Sequence, residues 1–394
     1  MPSNPQQSTA VYFSSRLAVF YAALFVAIGI HTPFFPVWLT AKGLDAGTIG
    51  VVLAAPMIVR IFAIPLVTHA ADRHGVLRGV LVISCFAAAV GMALVGLAEG
   101  AVPILLAFTL ASIPWTPVMP MTEAYALRRL KLASYGPVRL WGSAAFIVGS
   151  VGAGWLADII AARHLIWLIV AAMVAISAAS LALPSAPEHA RPSGPAAPAR
   201  RLFTPAFIAV AGAASLVQAS HAVYYGFSTI DWKAAGLDGT AVGLLWALGV
   251  LAEIVLFAFA GRLPAALTPT MLLIIGAVGA AVRWTAMAFN PPTLALPVLQ
   301  CLHGLSFGAT HLGTMGFIAR AAPAQLAATA QGALATAYAI VMAAAMGVSG
   351  LLYERYGALA YGAMALGAVA GSLCAIAAHR LMRKGAAGGP SLQT

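Results

Sequence analysis

Twelve stretches of about 20 apolar residues, each long enough to cross a bilayer, leave this chain one natural solvent, which is lipid. They are expected near 15–40, 46–70, 76–98, 101–126, 137–160, 164–184, 204–230, 240–262, 267–289, 294–319, 325–352 and 356–380. A backbone inside lipid must satisfy its own hydrogen bonds, so each stretch is read as a helix. Only 8% of the residues are charged and 62% are apolar, whereas a soluble domain carries about 25% charge. The expected fold class is therefore an all-α integral membrane protein with twelve transmembrane helices.

The basic residues orient the spans. With both termini in the cytoplasm, fifteen of the 21 Lys and Arg residues fall on the inner side, among them Arg73, Arg78, Arg128, Arg129, Lys131, Arg200 and Arg201. Four fall outside (Lys42, Arg163, Lys233 and Arg355), and Arg60 and Arg283 stay within spans. One missed span would invert every later loop, so this bias supports the count of twelve. The net charge of +11 thus belongs to topology. No basic stripe interleaved with stacking aromatics is present, which excludes nucleic acid as a partner. The first span is too long for a cleaved signal and is read as a retained helix. Cys85, Cys301 and Cys374 lie in apolar stretches and are expected as small buried side chains without a disulfide framework.

Residues 185–203 form the one sizeable loop, rich in Pro and Ala, and read as a linker. It separates an N-terminal six-helix bundle, 1–184, from a C-terminal one, 204–394. The halves repeat. Gly43, Leu44 and Asp45 match Gly236, Leu237 and Asp238 at an offset of 193, which also pairs Gly50 with Gly243, Phe34 with Phe227 and Ala54 with Ala247. Paired six-helix repeats suit secondary carriers whose site lies near the midplane between the halves.

Charges at depth are expensive in lipid and mark candidate sites. The repeat places Arg60 opposite Glu253, a gating pair or a structural ion pair. Glu123 near the inner end of the fourth span and Arg139 near the inner start of the fifth can meet across a short loop. A guanidinium fork there suits an anionic or hydroxylated substrate, and interfacial snorkelling is the plainer reading. Glu253 is the candidate proton carrier, because burial favours a protonated carboxyl and an approaching cation favours the charged one. Arg283 is a candidate partner, placed nearer the outer face. Gln300, His303, Phe307 and His311 can share one side of the tenth span, and Gln218 and His221 one side of the seventh.

Aromatics cluster at 31–38, with His31 and Trp38, and at 221–227, with His221 and Tyr225. Rings near polar groups suit a substrate with its own ring. Trp38 and Trp232 are expected in the interfacial aromatic belt. Pro114, Pro117 and Pro120 must bend or break the fourth span. Gly142, Ser143, Gly149, Gly152 and Gly154 give the fifth a face for close packing.

Asp72, Arg73, His74 and Gly75 with Arg78 resemble the loop signature of major facilitators, with Thr68 standing where its first glycine belongs. Tyr135-Gly-Pro-Val-Arg-Leu-Trp-Gly-Ser143, Gln218-Ala-Ser-His-Ala-Val-Tyr-Tyr-Gly-Phe-Ser228 and Leu302, His303 and His311 resemble the phenylpropionate permease family, related to the lactose permease type of proton symporter. The resemblance runs from the first span to the eleventh. It implies substrate binding by Glu123 and Arg139, with coupling by Arg283 and His303. It departs at Ser306, where that type has a proton-carrying carboxylate, at Gln218, where it has an Asp, and at Glu253, one turn beyond the expected Val250.

The reading that results is a monomeric transporter in a bacterial-type inner membrane. It would take up a small organic, aromatic carboxylate-like substrate with the proton gradient as driving force and without a cofactor or metal. His31, Gln218, His221, Tyr225 and His311 join Glu123 and Arg139 as substrate contacts. Glu253, Arg283 and His303 couple the proton, and Arg60, Asp72 and Arg73 serve gating. Efflux of drug-like or waste compounds, and uptake of a sugar or nucleoside, are the alternatives. An intramembrane enzyme is disfavoured: Gly347 to Gly350 resembles a rhomboid-like serine motif, but no histidine is placed to serve it, and no His-Glu-x-x-His helix is present. A channel lacks its ring of pore-lining charges.

Overall fold

The computed structural model describes residues 5–74, 76–127, 132–184, 202–264, 266–321 and 326–387. Every regular element among them is a helix. In chain order these are α1 (Pro5–Ala41), α2 (Ala46–Arg73), α3 (Leu77–Leu97), α4 (Ala101–Trp115), α5 (Val118–Leu127), α6 (Leu132–Ile159) and α7 (Leu165–Leu181). There follow α8 (Pro205–Ala219), α9 (Ala222–Ala234), α10 (Gly239–Phe259), α11 (Pro269–Ala288), α12 (Leu296–Cys301), α13 (Thr310–Ala321), α14 (Ala327–Tyr356) and α15 (Ala360–Ala387). The linker, and the loop with Arg128, Arg129 and Lys131, lie outside the described residues.

Ten segments are long and apolar enough to span a bilayer, the last of them running through both α14 and α15. The interrupted rod α12–α13 supplies the remaining crossing, and the fold has the expected twelve helices. Three crossings are broken. α4 gives way to α5 at Thr116 and Pro117, as the proline cluster requires. α8 gives way to α9 at Ser220 and His221, and a π-helical turn, Gly304–Ala309, joins α12 to α13. Gly357, with φ of +55°, separates α14 from α15, between the two spans that the sequence sets apart.

The repeat survives in the backbone. Gly43 and Gly236 take φ of +83° and +89°. Each closes the preceding helix with the same two bonds: Gly43 N to Thr40 O and Leu44 N to Leu39 O, then Gly236 N to Lys233 O and Leu237 N to Trp232 O. A side chain is strained at that φ, so glycine is what allows this closure. Two residues on, Asp45 accepts from Thr48 N at 2.7 Å and Asp238 from Ala241 N at 2.6 Å, capping the next helix. The bond from the Thr48 amide holds the exposed Asp45 carboxyl below the usual carboxylate range.

The chain divides into two compact units, Met1–Pro192 with Tyr225–Val250, and Ser193–Tyr224 with Leu251–Thr394. In the first, Phe13, Leu17, Phe20 and Tyr21 of α1 share a core with Leu77 and Leu81 of α3, Tyr125 of α5 and Ile176 of α7. Glycine brings α6 against α1. A Cβ on Gly142 would strike the Phe25 ring, and one on Gly149 the Val26 backbone. Gly152 faces open space and takes no part in that packing. In the second unit, Phe207 and Val210 of α8 pack with Leu273 of α11, Phe317 of α13 and Ala375 of α15. Large apolar side chains such as Leu66, Ile83 and Leu366 stand exposed outside, as lipid permits and water does not.

Two local expectations are corrected. Trp38 and Trp232 do not lie in an exposed belt, for both are buried. The Trp38 indole nitrogen donates to Arg163 O at 3.1 Å, so neighbouring protein rather than headgroup solvates it. Cys85 is buried, but Cys301 is exposed on α12, and all three cysteines are free.

Candidate functional site

The second unit holds a buried polar cluster around Arg283 of α11. This guanidinium is fully buried, and an isolated charge there would be prohibitively costly. It is provided for on several sides. Nη2 donates to Gln300 Oε1 at 2.6 Å, and Nη1 to His303 Nδ1 at 3.1 Å and Ser306 Oγ at 3.3 Å. Its plane lies over the rings of Tyr224, 4.6 Å from the centroid, and Trp284, 4.5 Å, a favourable cation–π arrangement. α12 and the π-helical turn bring Gln300, His303 and Ser306 to one place. Thr310 Oγ1 donates to Ser306 O at 2.9 Å and satisfies a carbonyl inside that turn.

The donors fix the histidine tautomers. A guanidinium only donates, so His303 Nδ1 accepts and the ring proton of neutral His303 sits on Nε2. That nitrogen is 3.9 Å from Glu253 Oε2 of α10. His303 therefore stands between Arg283 and Glu253, the candidate partners of the sequence reading. His221 is set in the opposite sense. Its Nδ1 faces Val217 O at 3.1 Å and Gln218 O at 3.2 Å, which can only accept. Nε2 is then the acceptor for the Ser306 hydroxyl at 3.1 Å. A directed series results, from Arg283 through Ser306 to His221 and from Arg283 through His303 to Glu253.

In the first unit, Arg139 Nε of α6 lies 3.5 Å from Glu123 Oε1 of α5, both side chains about one third exposed. The guanidinium sits over Phe25 at 4.3 Å and Tyr21 at 5.8 Å. The pair meets, beside the aromatic rings of α1. Its exposure leaves fork and carboxylate oxygens open to a ligand.

The remaining candidates fall in both units. His31 stacks against Phe35 (4.7 Å) and Phe108 (5.9 Å), and its buried Nε2 has no hydrogen-bond partner among the described residues. Gln218 gives the cluster its carbonyl. Tyr225 stacks on Trp246 in the first unit. His311 is exposed at the end of a stacked file from His303 through Phe307. Arg60 reaches Met57 Sδ at 3.9 Å. Arg73 is exposed at the end of α2, and the Asp72 side chain lies outside the described residues. Sequence reasoning missed Tyr224 and Trp284 as the rings on Arg283. The spacing of three from His221 to Tyr224 was the available signal for the first.

A twelve-helix membrane fold with a guanidinium buried between its helices suits a secondary transporter. The chain belongs to the MFS_1-like family of major facilitators, whose family model matches residues 14–361. It is a multi-pass membrane transporter and not an enzyme. It is 32% identical over 315 residues to a probable 3-phenylpropionic acid transporter of Escherichia coli (strain K12), covering 77% of this chain and 81% of that one. It is 28% identical over 320 residues to a maltose permease of Geobacillus stearothermophilus, covering 79% and 80%. Its fold is similar to the nucleoside transporter NupG (TM-score 0.75, 15% identity, 94% and 98% covered). It is also similar to a bacterial homologue of the human lysosomal transporter Spinster in an inward-facing, unoccupied conformation (TM-score 0.71, 14% identity, 97% and 99% covered).

Proposed function

We propose that this transporter is a monomeric, proton-coupled importer of a small organic anion carrying an aromatic ring. Transport would proceed by alternating access in an inner membrane with both termini cytoplasmic. The observation that carries the reading is His303 between Arg283 and Glu253. Glu253 is 21% exposed on its side chain, open enough to exchange a proton. The His303 Nε2–H points to it across 3.9 Å, and closure by about 1 Å would make a charge-assisted hydrogen bond. Glu253 would carry the proton, and His303 would report its charge to Arg283. Arg139 and Glu123 would orient the substrate, the cation taking the carboxylate and the Phe25 and Tyr21 rings flanking its aromatic body. The excess of cations within the spans, Arg60, Arg139 and Arg283 against Glu123 and Glu253, supports an anion, and the relative named a probable 3-phenylpropionic acid transporter supports an aromatic one.

The test is uptake of 3-phenylpropionate into proteoliposomes with an imposed proton gradient, alongside alkalinisation of the medium when substrate is added to expressing cells. Both are expected, and Glu253→Gln should abolish accumulation. Accumulation by Glu253→Gln with full pH dependence would overturn the assignment. Uptake of a sugar is the second reading, favoured by the charge-balanced Glu123–Arg139 pair and the maltose permease relative. Competition by maltose in the same assay decides between them, and loaded vesicles distinguish import from efflux.

A further inference from the structure

The seventh crossing breaks between α8 and α9 without a helix breaker. Leu216 to Val223 contains neither proline nor glycine. Side chains make the break. Ser220 Oγ donates to Val217 O at 2.6 Å, and His221 Nδ1 lies 3.1 Å from the same oxygen and 3.2 Å from Gln218 O. Such bonds to carbonyls three and four residues back compete with the helical ladder and bend it. Both side chains are also tied elsewhere. Ser220 Oγ accepts from Trp284 Nε1 at 2.8 Å, and His221 Nε2 faces Ser306 Oγ at 3.1 Å. Ser306 in turn accepts from Arg283 at 3.3 Å. His221 is fully buried, with the rings of Trp284, His303 and Phe307 edge-on to it.

We propose that His221 is a positioning residue that ties the α8–α9 break to the Arg283 cluster, so that a change of charge at Glu253 alters how firmly the break is held. The inference rests on Glu253 as the proton carrier. Glu253 faces His303, His303 and Ser306 share Nη1 of Arg283, and the Ser306 hydroxyl ends on His221. When the demand of His303 on Arg283 changes, so does the bond that Ser306 offers to His221. Among the described residues, the titratable and charged groups around this route are Glu253, His303, Arg283, Tyr224 and His221, with His311 one ring further on beyond Phe307.

Amide hydrogen exchange on the full chain in nanodiscs tests this without a substrate. Exchange of amides 217–224 is measured at about pH 5.5 and about pH 8 after correction for the intrinsic pH dependence. In the wild type the corrected rates should differ by at least about threefold. His221→Asn keeps a donor short enough to reach back to the carbonyls but cannot span to Ser306. It should lose the pH difference, and Ser306→Ala should lose it too. A wild-type response in either variant, or none in the wild type, overturns the linkage. Glu253→Gln separates the two claims. If it keeps the wild-type pH difference, the proton carrier is misassigned. If it abolishes the difference while His221→Asn retains it, the carrier stands and the route through His221 fails.

Discussion

Arg283 donates to His303 Nδ1 at 3.1 Å, and that single bond decides which nitrogen of the imidazole carries the proton. It also separates the requirement for charge at position 283 from the requirement for shape. Arg283→Lys keeps the charge, but one ammonium cannot serve His303, Ser306 and Gln300 from the directions of a planar fork. A lost bond to a buried charged group is worth roughly 1.5–3 kcal/mol. Arg283→Lys should therefore lower the thermal midpoint of the purified protein clearly and reduce transport below a tenth. A wild-type midpoint in differential scanning fluorimetry would show that the fork is dispensable.

Glu253→Gln should behave differently. Glu253 is partly exposed and 3.9 Å from the His303 imidazole, and Gln preserves its size and its capacity to hydrogen-bond. The midpoint should shift by no more than about 1 kcal/mol equivalent. Exchange of labelled for unlabelled substrate should persist while gradient-driven accumulation disappears. Loss of both activities together would mean that Glu253 binds substrate rather than carries a proton.

These contrasts were legible in the sequence to different depths. The spans were readable because lipid demands long apolar runs, and the repeat because positive-φ glycines and Asp caps recur where the chain must turn. Glu253, Arg283 and His303 stood out because charge at depth is costly. The order of contact was not readable, since a π-helical turn shifts Ser306 by a hydrogen-bonding pattern that no residue type announces. The α8–α9 break was hidden for the related reason that Ser220 and His221 make it by side-chain bonds. The helical spacing from His221 favours Tyr224 over Tyr225, and it is Tyr224 that lies against Arg283.

Glycine on α6 gives a paired prediction. Gly149 lies against the backbone of Val26, and Gly152 faces open space. Gly149→Ala must push α1 from α6, and overpacking of this kind costs about 1–3 kcal/mol. Gly152→Ala adds a methyl where nothing is met and gains helix propensity of up to about 1 kcal/mol. The thermal midpoints should therefore move in opposite directions. Equal shifts would contradict the packing of α1 on α6.

The last prediction ranks two neighbours at the start of α10. Asp158 at the end of α6 accepts from Gly239 N at 2.5 Å and from Thr240 N and Oγ1, each at 3.0 Å. Lys233 Nζ lies 3.8 Å from it, with both side chains about 30% exposed. Geometrically the two partners look comparable, but physically they are not. The amides at a helix start have no partner within the helix, so the carboxylate satisfies donors that would otherwise be left over. The ammonium is a surface-type pair that solvent and salt screen. Asp158→Ala should therefore destabilise by about 1 kcal/mol, and Lys233→Met by a few tenths of that at most. Added salt should leave the first deficit in place and erase the second. Midpoints measured at low and high ionic strength would decide, and a larger loss for Lys233→Met would assign the hold on α10 to the ion pair instead of the cap.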